Sequence, residues 1–379
     1  MLEDVIAFRR RLHAHPELSG MEMRTHDAIA AYLRPLHPTC LYEKVGGYGL
    51  IAAFGGTDKD ALVFRADTDA LPVQELTPLS YASQWEGVAH KCGHDGHAAI
   101  LLRLAEKLSA RLQAGEGFPF TALLLFQAAE ETGEGSRRVL ASGVLDAYRI
   151  RGVYGLHNLP GFPVGRLVFR YGTFAAASTG VALHLQGRQT HAAFPEKGIN
   201  PGLAVAQIIQ RAAAMNTSPE KTDGSFRQVT LIQVRLGKEA FGTSAGDADL
   251  LFTLRAYTNK GMEALQTEFL AMAAAEAKRY KLSLTTDWKE PFHATENHAE
   301  AVDRLVHIAE KAGMAYGSAA CPFRWSEDFA DYLMRYPGAF FGIGSGERQP
   351  ELHHPDFDFP DALVEPAACF WERLFLSEQ

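Results

Sequence analysis

Cys92-Gly93-His94-Asp95 stands between an apolar run and a helical stretch, and Glu130-Glu131, His157 and His353 follow it at the ends of hydrophobic segments. A thiolate, three imidazoles and two adjacent carboxylates exceed what one tetrahedral ion needs. A two-metal site with a shared ligand is the natural count, and a metal-activated hydrolase the natural chemistry. Sulfur and imidazole donors suit zinc, manganese, cobalt or nickel better than magnesium or calcium. Each piece also has a bland reading. Cys92 and His94 could be a buried thiol beside a helix start capped by Asp95, and Glu130-Glu131 a solvated turn. Repetition favours chemistry, because several strand ends of one α/β unit each offer a ligand, and catalytic groups gather at such ends in open sheets.

Adjacent carboxylates at a strand end can divide labour, one coordinating metal while the other moves a proton. Spacing alone does not decide between His353 and His354 as ligand. Asp67 and Asp69 follow the run Ala61–Ala66, and alternation sends both to the same side, where they would orient a ligand histidine or a loop. His191, in Gly187-Arg-Gln-Thr-His-Ala-Ala-Phe-Pro, could reach over a cleft and donate to a developing oxyanion. Asn200 and Arg255 are candidates to hold a substrate carboxylate, which a guanidinium fork matches.

The positioning elements read as an α/β protein. Helical periodicity covers Leu2–His13 and Glu22–Leu36. Short apolar runs at 50–54, 61–66, 120–126 and 152–156 alternate with helical segments at 97–112 and 135–142. Near Gly172 the order becomes strand (179–186), helix (201–215), strand (227–234), strand (249–256), helix (262–280), strand (282–288). That is the split arrangement of ferredoxin-like domains. Two domains are expected: a catalytic domain over 1–174 and 292–379, interrupted by a smaller lid or dimerisation domain over 175–291.

At 379 residues, 47% apolar, the chain can bury such cores, and a formal net charge of −8 argues against nucleic acid as the main partner. No apolar stretch nears the ~18 residues of a bilayer span, and the N-terminus lacks the regions of a signal peptide. Cys40, Cys321 and Cys369 read as buried apolar thiols without disulfide spacing. A cytoplasmic protein acting on a small molecule is expected, with no membrane or nucleic-acid partner.

Eight segments together carry a resemblance: Arg11-Leu-His-Ala-His-Pro-Glu-Leu-Ser, Arg65-Ala-Asp-Thr-Asp-Ala-Leu-Pro, Cys92-Gly-His-Asp-Gly-His, Phe126-Gln-Ala-Ala-Glu-Glu, Gly155-Leu-His, the His191 segment, Ser326-Glu-Asp-Phe and Leu352-His-His-Pro. In this order they resemble the amidohydrolase branch of the two-metal aminoacylase and carboxypeptidase family. That branch holds hippurate hydrolases, auxin-conjugate hydrolases, N-acyl-amino-acid amidohydrolases and N-acetyldiaminopimelate deacetylases. The resemblance implies that Cys92, His94, Glu131, His157 and His353 bind two divalent ions, manganese or zinc, with cobalt or nickel as substitutes, and that Cys92 bridges them. It further implies Glu130 as general base and acid, His191 as oxyanion donor, Asp69 as support for the metal site, and a homodimer or higher homo-oligomer. Asp67 falls where more distant peptidase relatives place a ligand histidine. Three departures stand out: Ala128 where many relatives have proline, Asn200 where the branch often has aspartate, and His354 where auxin-conjugate hydrolases usually show serine. The expected activity is hydrolysis of an N-acyl amino acid. A dipeptidase or carboxypeptidase with the same site, or a non-catalytic metal- or ligand-binding protein, are the rivals.

Overall fold

The computed structural model describes residues 2–56, 60–118 and 120–377, and its contacts divide them into two units. The first unit comprises residues up to Phe174, Thr295–Ala320 and Asp328 onward, and the second Ala175–Ala294 with Cys321–Glu327. The second unit therefore takes a segment, 321–327, that the sequence reading gave to the returning catalytic part. Ala176 N–H donates to Phe323 O (2.9 Å) and Trp325 O (3.0 Å), and Arg255 Nη1 donates to Arg324 O (2.7 Å) and Ser326 Oγ (3.1 Å). Such long-range ties leave no mark in local periodicity.

The first unit is an α/β fold around a mixed sheet. It opens with α1 (Leu2–Ala14) and α2 (Met23–Leu33), and the second helix tightens into a 3-10 turn at Arg34–Leu36, where Pro35 lacks the N–H to continue it. There follow β1 (Cys40–Val45), β2 (Gly49–Phe54), β3 (Asp60–Asp67), α3 (His94–Gln113), β4 (Thr121–Gln127), α4 (Gly135–Ala141), β5 (Arg149–Pro160), β6 (Leu167–Phe169) and β7 (Gly172–Ala175). The second unit supplies β8 (Ala177–Gln186), α5 (Gly202–Ala213), β9 (Arg227–Leu236), β10 (Asp247–Ala256), α6 (Asn259–Arg279) and β11 (Ser283–Phe292). The first unit resumes with β12 (Thr295–Asn297), α7 (Ala299–Ala312), β13 (Tyr316–Ser318), α8 (Ala330–Leu333), β14 (Gly338–Gly346) and α9 (Val364–Leu376). Among the described residues no helix is long and apolar enough to cross a membrane.

The large sheet runs β1-β2-β4-β3-β5-β14-β6-β13, and its central strands β4, β3, β5 and β14 are mutually parallel. Parallel strands are covered on both faces, which explains why Thr121–Gln127 is buried throughout and why these segments read as unbroken apolar runs. Alternate residues divide between the faces. Leu62, Phe64, Leu124, Phe126, Tyr154 and Phe341 join one core with α1, α2, α3, α7 and α9, where Phe64 meets Trp371 at 5.8 Å between ring centroids. Phe340 turns to the other face and meets Phe329 at 5.0 Å.

The second unit is a four-stranded antiparallel sheet, β11-β8-β10-β9, whose buried face packs on α5 and α6. Its element order is strand, helix, strand, strand, helix, strand. β1 was not foreseen: Glu43 and Lys44 interrupt its apolar pattern, and it lies at the sheet edge, where one side needs no burial.

Candidate metal centre

Parallel pairing decides which chain ends meet. Asp67 pairs with Gln127 across β3 and β4, Arg65 with Gly155 across β3 and β5, and Gly342 with His157 across β14 and β5. The segments that leave β3, β4 and β14 therefore start from one sheet edge, and they carry Asp69, Glu130-Glu131 and His353. His157 lies inside β5, three residues before its end, and not at the strand terminus expected from its apolar run.

Cys92 and His94 are aimed by the turn into α3. Gly93 caps that helix with φ +101°, and a Cβ there would collide with the Asn158 amide, so the turn requires glycine. Asp95 is not the cap. Its carboxylate accepts from Arg9 Nη1 (3.0 Å) and lies 2.9 Å from His13 Nδ1.

Three overlapping donor sets form, each with its ligand atoms within 4.8 Å of one another: Cys92, His94 and His157; Cys92, Glu131 and His353; His94, Glu130 and Glu131. Cys92 Sγ lies 3.3 Å from His157 Nε2, and Glu131 Oε1 lies 3.8 Å from His94 Nε2 and 3.5 Å from His353 Nε2. His94 Nε2 and Glu131 Oε1 are both buried without a hydrogen-bond partner. A divalent ion between them would satisfy both atoms at once. The donor set fits divalent metal.

The remaining imidazole nitrogens are fixed from behind. His94 Nδ1 donates to Asp69 O (2.9 Å), with Asp69 Oδ1 at 3.2 Å, and His157 Nδ1 donates to Asn158 O (2.8 Å). Each bond sets a tautomer whose Nε2 carries the lone pair a metal needs. A further set, Asp67, His94 and His97, is less apt. His97 is held on both nitrogens, by Asp67 Oδ1 and Asn158 Oδ1 at 2.6 Å each, while Asp67 Oδ2 accepts from Arg65 Nη1 (2.6 Å).

Burial and neighbouring charges pull the ionisation of these groups in different directions. Burial would lower His94, but Asp67 and Cys92 override it and hold the imidazole well above its ordinary range. Burial likewise opposes His353, yet contacts with Cys92 and Glu131 raise it to about 10. Burial, reinforced by Glu131, pushes the Cys92 thiol up, whereas burial and His97 push His157 well down.

Several positioning residues escaped the sequence reading. Lys91 is fully buried: its Nζ donates to Glu75 Oε1 (2.6 Å) and Phe357 O (2.7 Å), and its carbonyl accepts His353 N–H (2.7 Å). It ties the Cys92 turn to the His353 loop, where His353 itself sits at φ +66°. Asp328 accepts from Arg65 Nη2 (2.7 Å), Gln127 Nε2 (2.7 Å) and Ser136 N–H (2.8 Å), and its own N–H donates to Glu130 Oε1 at 3.3 Å. Asp328 and His97 stood inside quoted motifs, but nothing local separated their roles from those of their neighbours.

In the second unit, His191 is exposed and its Nδ1 accepts from Ala193 N–H (3.0 Å), while Asn200 Oδ1 accepts from Gly202 N–H (2.8 Å) at the start of α5. His354 is exposed, 3.8 Å from Asp356. Cys40, Cys321 and Cys369 are free and half-buried, not buried as expected, and Cys92 is the buried thiol among them.

The model of peptidase family M20/M25/M40 matches residues 63–377. An N-acetyl-L-cysteine deacetylase of Bacillus subtilis is 31% identical over 373 residues, covering 97% of this chain and 86% of that protein. Among solved structures, the Bacillus subtilis YXEP protein, described as a dinuclear metal-binding peptidase of the M20 family, superposes with a TM-score of 0.85 at 27% identity, covering 100% of this chain and 98% of that one. The aminobenzoyl-glutamate utilization protein of Klebsiella pneumoniae shares the fold, with a TM-score of 0.72 at 22% identity over 98% of this chain and 96% of that one.

Because His94, His353 and Cys92 are raised, they carry protons near neutral pH that a cation must displace. Metal binding is expected to release protons, and affinity to fall as pH drops from 8 to 6. Calorimetric titration of the purified protein with Zn²⁺ or Mn²⁺ in buffers of different ionisation enthalpy measures both; an affinity flat across this range would contradict the donor assignment.

Proposed function

The chain belongs to peptidase family M20/M25/M40 and is an enzyme acting on amide bonds, and from that premise we propose that it cleaves N-acyl amino acids to a carboxylate and a free amino acid with two divalent ions. The non-catalytic rival falls with that membership. The observation that carries the reading is the cluster of buried donor atoms around His94 Nε2 and Glu131 Oε1, both without a hydrogen-bond partner, beside the Glu130 carboxylate.

In this reading Cys92, His94, Glu131, His157 and His353 would together hold the two ions, with Cys92 common to two of the donor sets. When bound, the ions supply Lewis acidity at the amide carbonyl and at the attacking water. Glu130, only 5% exposed, takes the water's proton and returns it to the leaving nitrogen; the Asp328 N–H at 3.3 Å steadies its carboxylate. Asp69 holds the His94 tautomer. His191 supplies an oxyanion donor from the second unit, which we read as a ferredoxin-like lid and dimerisation domain over 175–291. Arg255 is a candidate for the substrate carboxylate: burial and nearby Arg324 lower its pKa, and among the described residues no carboxylate forms an ion pair with it. Asn200 serves alongside it. Manganese or zinc is the proposed metal, with cobalt or nickel able to substitute. A cytoplasmic location accords with four free thiols.

The proposed assembly is a homodimer through the edge strand β9. Leu231, Val234 and Leu236 lie opposite core residues Phe252, Leu250 and Ala248, and they are 40%, 39% and 44% exposed beside Leu203 of α5, at 68%. An apolar strip beside the outer edge of a terminal strand invites a second copy of the same strand. Light scattering should give twice the chain mass, and a Leu203→Asp, Val234→Asp variant about half of that; a monomeric wild type would refute the assembly.

Glu130→Gln should lower kcat by about 100- to 10,000-fold with metal content unchanged, since that is what positioned proton transfer contributes. Assayed with manganese and zinc on acetyl, benzoyl and indoleacetyl amino acids and on dipeptides, the wild type should favour the acyl amino acids. Near-normal turnover by Glu130→Gln, or a preference for peptides, would reject the respective assignment.

A further inference from the structure

The segment between α1 and α2, which carries the Pro16-Glu17-Leu18-Ser19 motif, has no part in the chemistry above, yet it is docked on the site. Glu17 O accepts Ala70 N–H (2.8 Å), and Leu18 bridges to Ala70 in strand fashion. From this docked segment Ser19 Oγ donates to Asp69 Oδ2 (2.7 Å), and the same oxygen accepts the backbone N–H of Glu131 (3.0 Å).

Glu22 makes the matching contact on the other side of Glu130. It is fully buried, and its Oε1 accepts the N–H groups of Gly20 (2.8 Å) and Ala129 (2.8 Å). Ala129 is a non-glycine residue held at φ +58°, a conformation that persists only when its surroundings enforce it. The amides preceding and following Glu130 thus each end on a buried carboxylate, Glu22 for Ala129 and Asp69 for Glu131.

The Glu22 side chain is not engaged in its own helix. It stands at the N-cap position of α2 but makes no side-chain cap, and only its backbone carbonyl serves the helix, accepting from His26 N–H (2.9 Å). Its second oxygen, Oε2, is buried without a hydrogen-bond partner.

We propose that Glu22 is a positioning residue for the acid–base carboxylate: by capturing the Ala129 amide it enforces the left-handed turn that sets the direction in which Glu130 leaves the backbone. The inference rests on the reading of Glu130 as acid–base group. Among the described residues no hydrogen bond joins the Glu22 carboxylate to a proposed metal donor, so its loss disturbs proton transfer and leaves the cage intact. Burial and nearby Asp69 push its carboxyl up to about 7, so glutamine, which keeps an acceptor for Ala129 N–H and resembles the neutral acid, is the conservative replacement.

The test measures kcat, KM, bound metal by elemental analysis and thermal midpoint for Glu22→Ala, Glu22→Gln, Glu22→Asp and Glu130→Gln. Glu22→Ala should lose about 10- to 100-fold in kcat, since a shift of about 1 Å in a catalytic group has that effect. KM should stay within about twofold and metal content equal the wild type, and Glu22→Gln should recover most of the loss. If Glu22→Ala does not fold, Glu22→Asp decides, because its shortened arm should lower kcat alone. Wild-type kcat in the folded Ala or Asp variant, or a loss explained by missing metal, overturns the proposal. If Glu130→Gln is inactive while Glu22→Ala is normal, only the role of Glu22 falls; if Glu130→Gln is active, the acid–base reading falls first.

Discussion

Four neighbouring parallel strands, β4, β3, β5 and β14, must end at the same edge of the sheet, and everything chemical in the first unit depends on that constraint. Side chains on or just beyond those strands are brought together although nearly two hundred positions separate His157 from His353. The strands are apolar on both faces and cannot slide without exposing core such as Phe64 and Leu124, so the register that packs the core also sets the spacing of the candidate donors. The donor cage is held by the same hydrophobic burial that holds the sheet.

Burying charge carries a cost, and the surroundings of the cage show how it is offset. Hydrogen bonds from behind orient His94 and His157, and an ionic cluster underlies the Cys92 turn: Arg9 and His13 on Asp95, Lys91 and His13 on Glu75. Burial would raise Glu75, but His13 and Lys91 hold it at about 2, so it stays ionised. Arg65 joins Asp67 to Asp328, which links the His97 side of the site to the backbone donor facing Glu130. Buried ion pairs of this kind add little net stability, but they specify one arrangement, and a metal site needs one arrangement.

The proposed ligands stood out in the sequence as metal-type side chains near apolar segments. Their supports were not. Glu22 meets Ala129 across 107 positions and Asp328 meets Glu130 across 198, and neither contact leaves a periodic or compositional trace. Lys91 directly precedes the Cys92 motif, and nothing local marks its ammonium as buried among Glu75, Thr77 and Phe357. The alternation of strands and helices was readable where strands are central and apolar. It failed at edge strand β1, at the short β6 and β13, and in the Cys321–Glu327 segment, which is tied by hydrogen bonds to Ala176 before β8 and Arg255 of β10.

The central claim is that sulfur, imidazole and carboxylate donors from separate strand ends enclose two cations. X-ray absorption at the metal edge of the zinc-loaded protein tests it most directly. The account expects a sulfur scatterer at about 2.3 Å and a metal–metal vector of about 3.5–4 Å, with the sulfur signal lost in Cys92→Ser. A spectrum of nitrogen and oxygen neighbours alone, with no second metal, would contradict it.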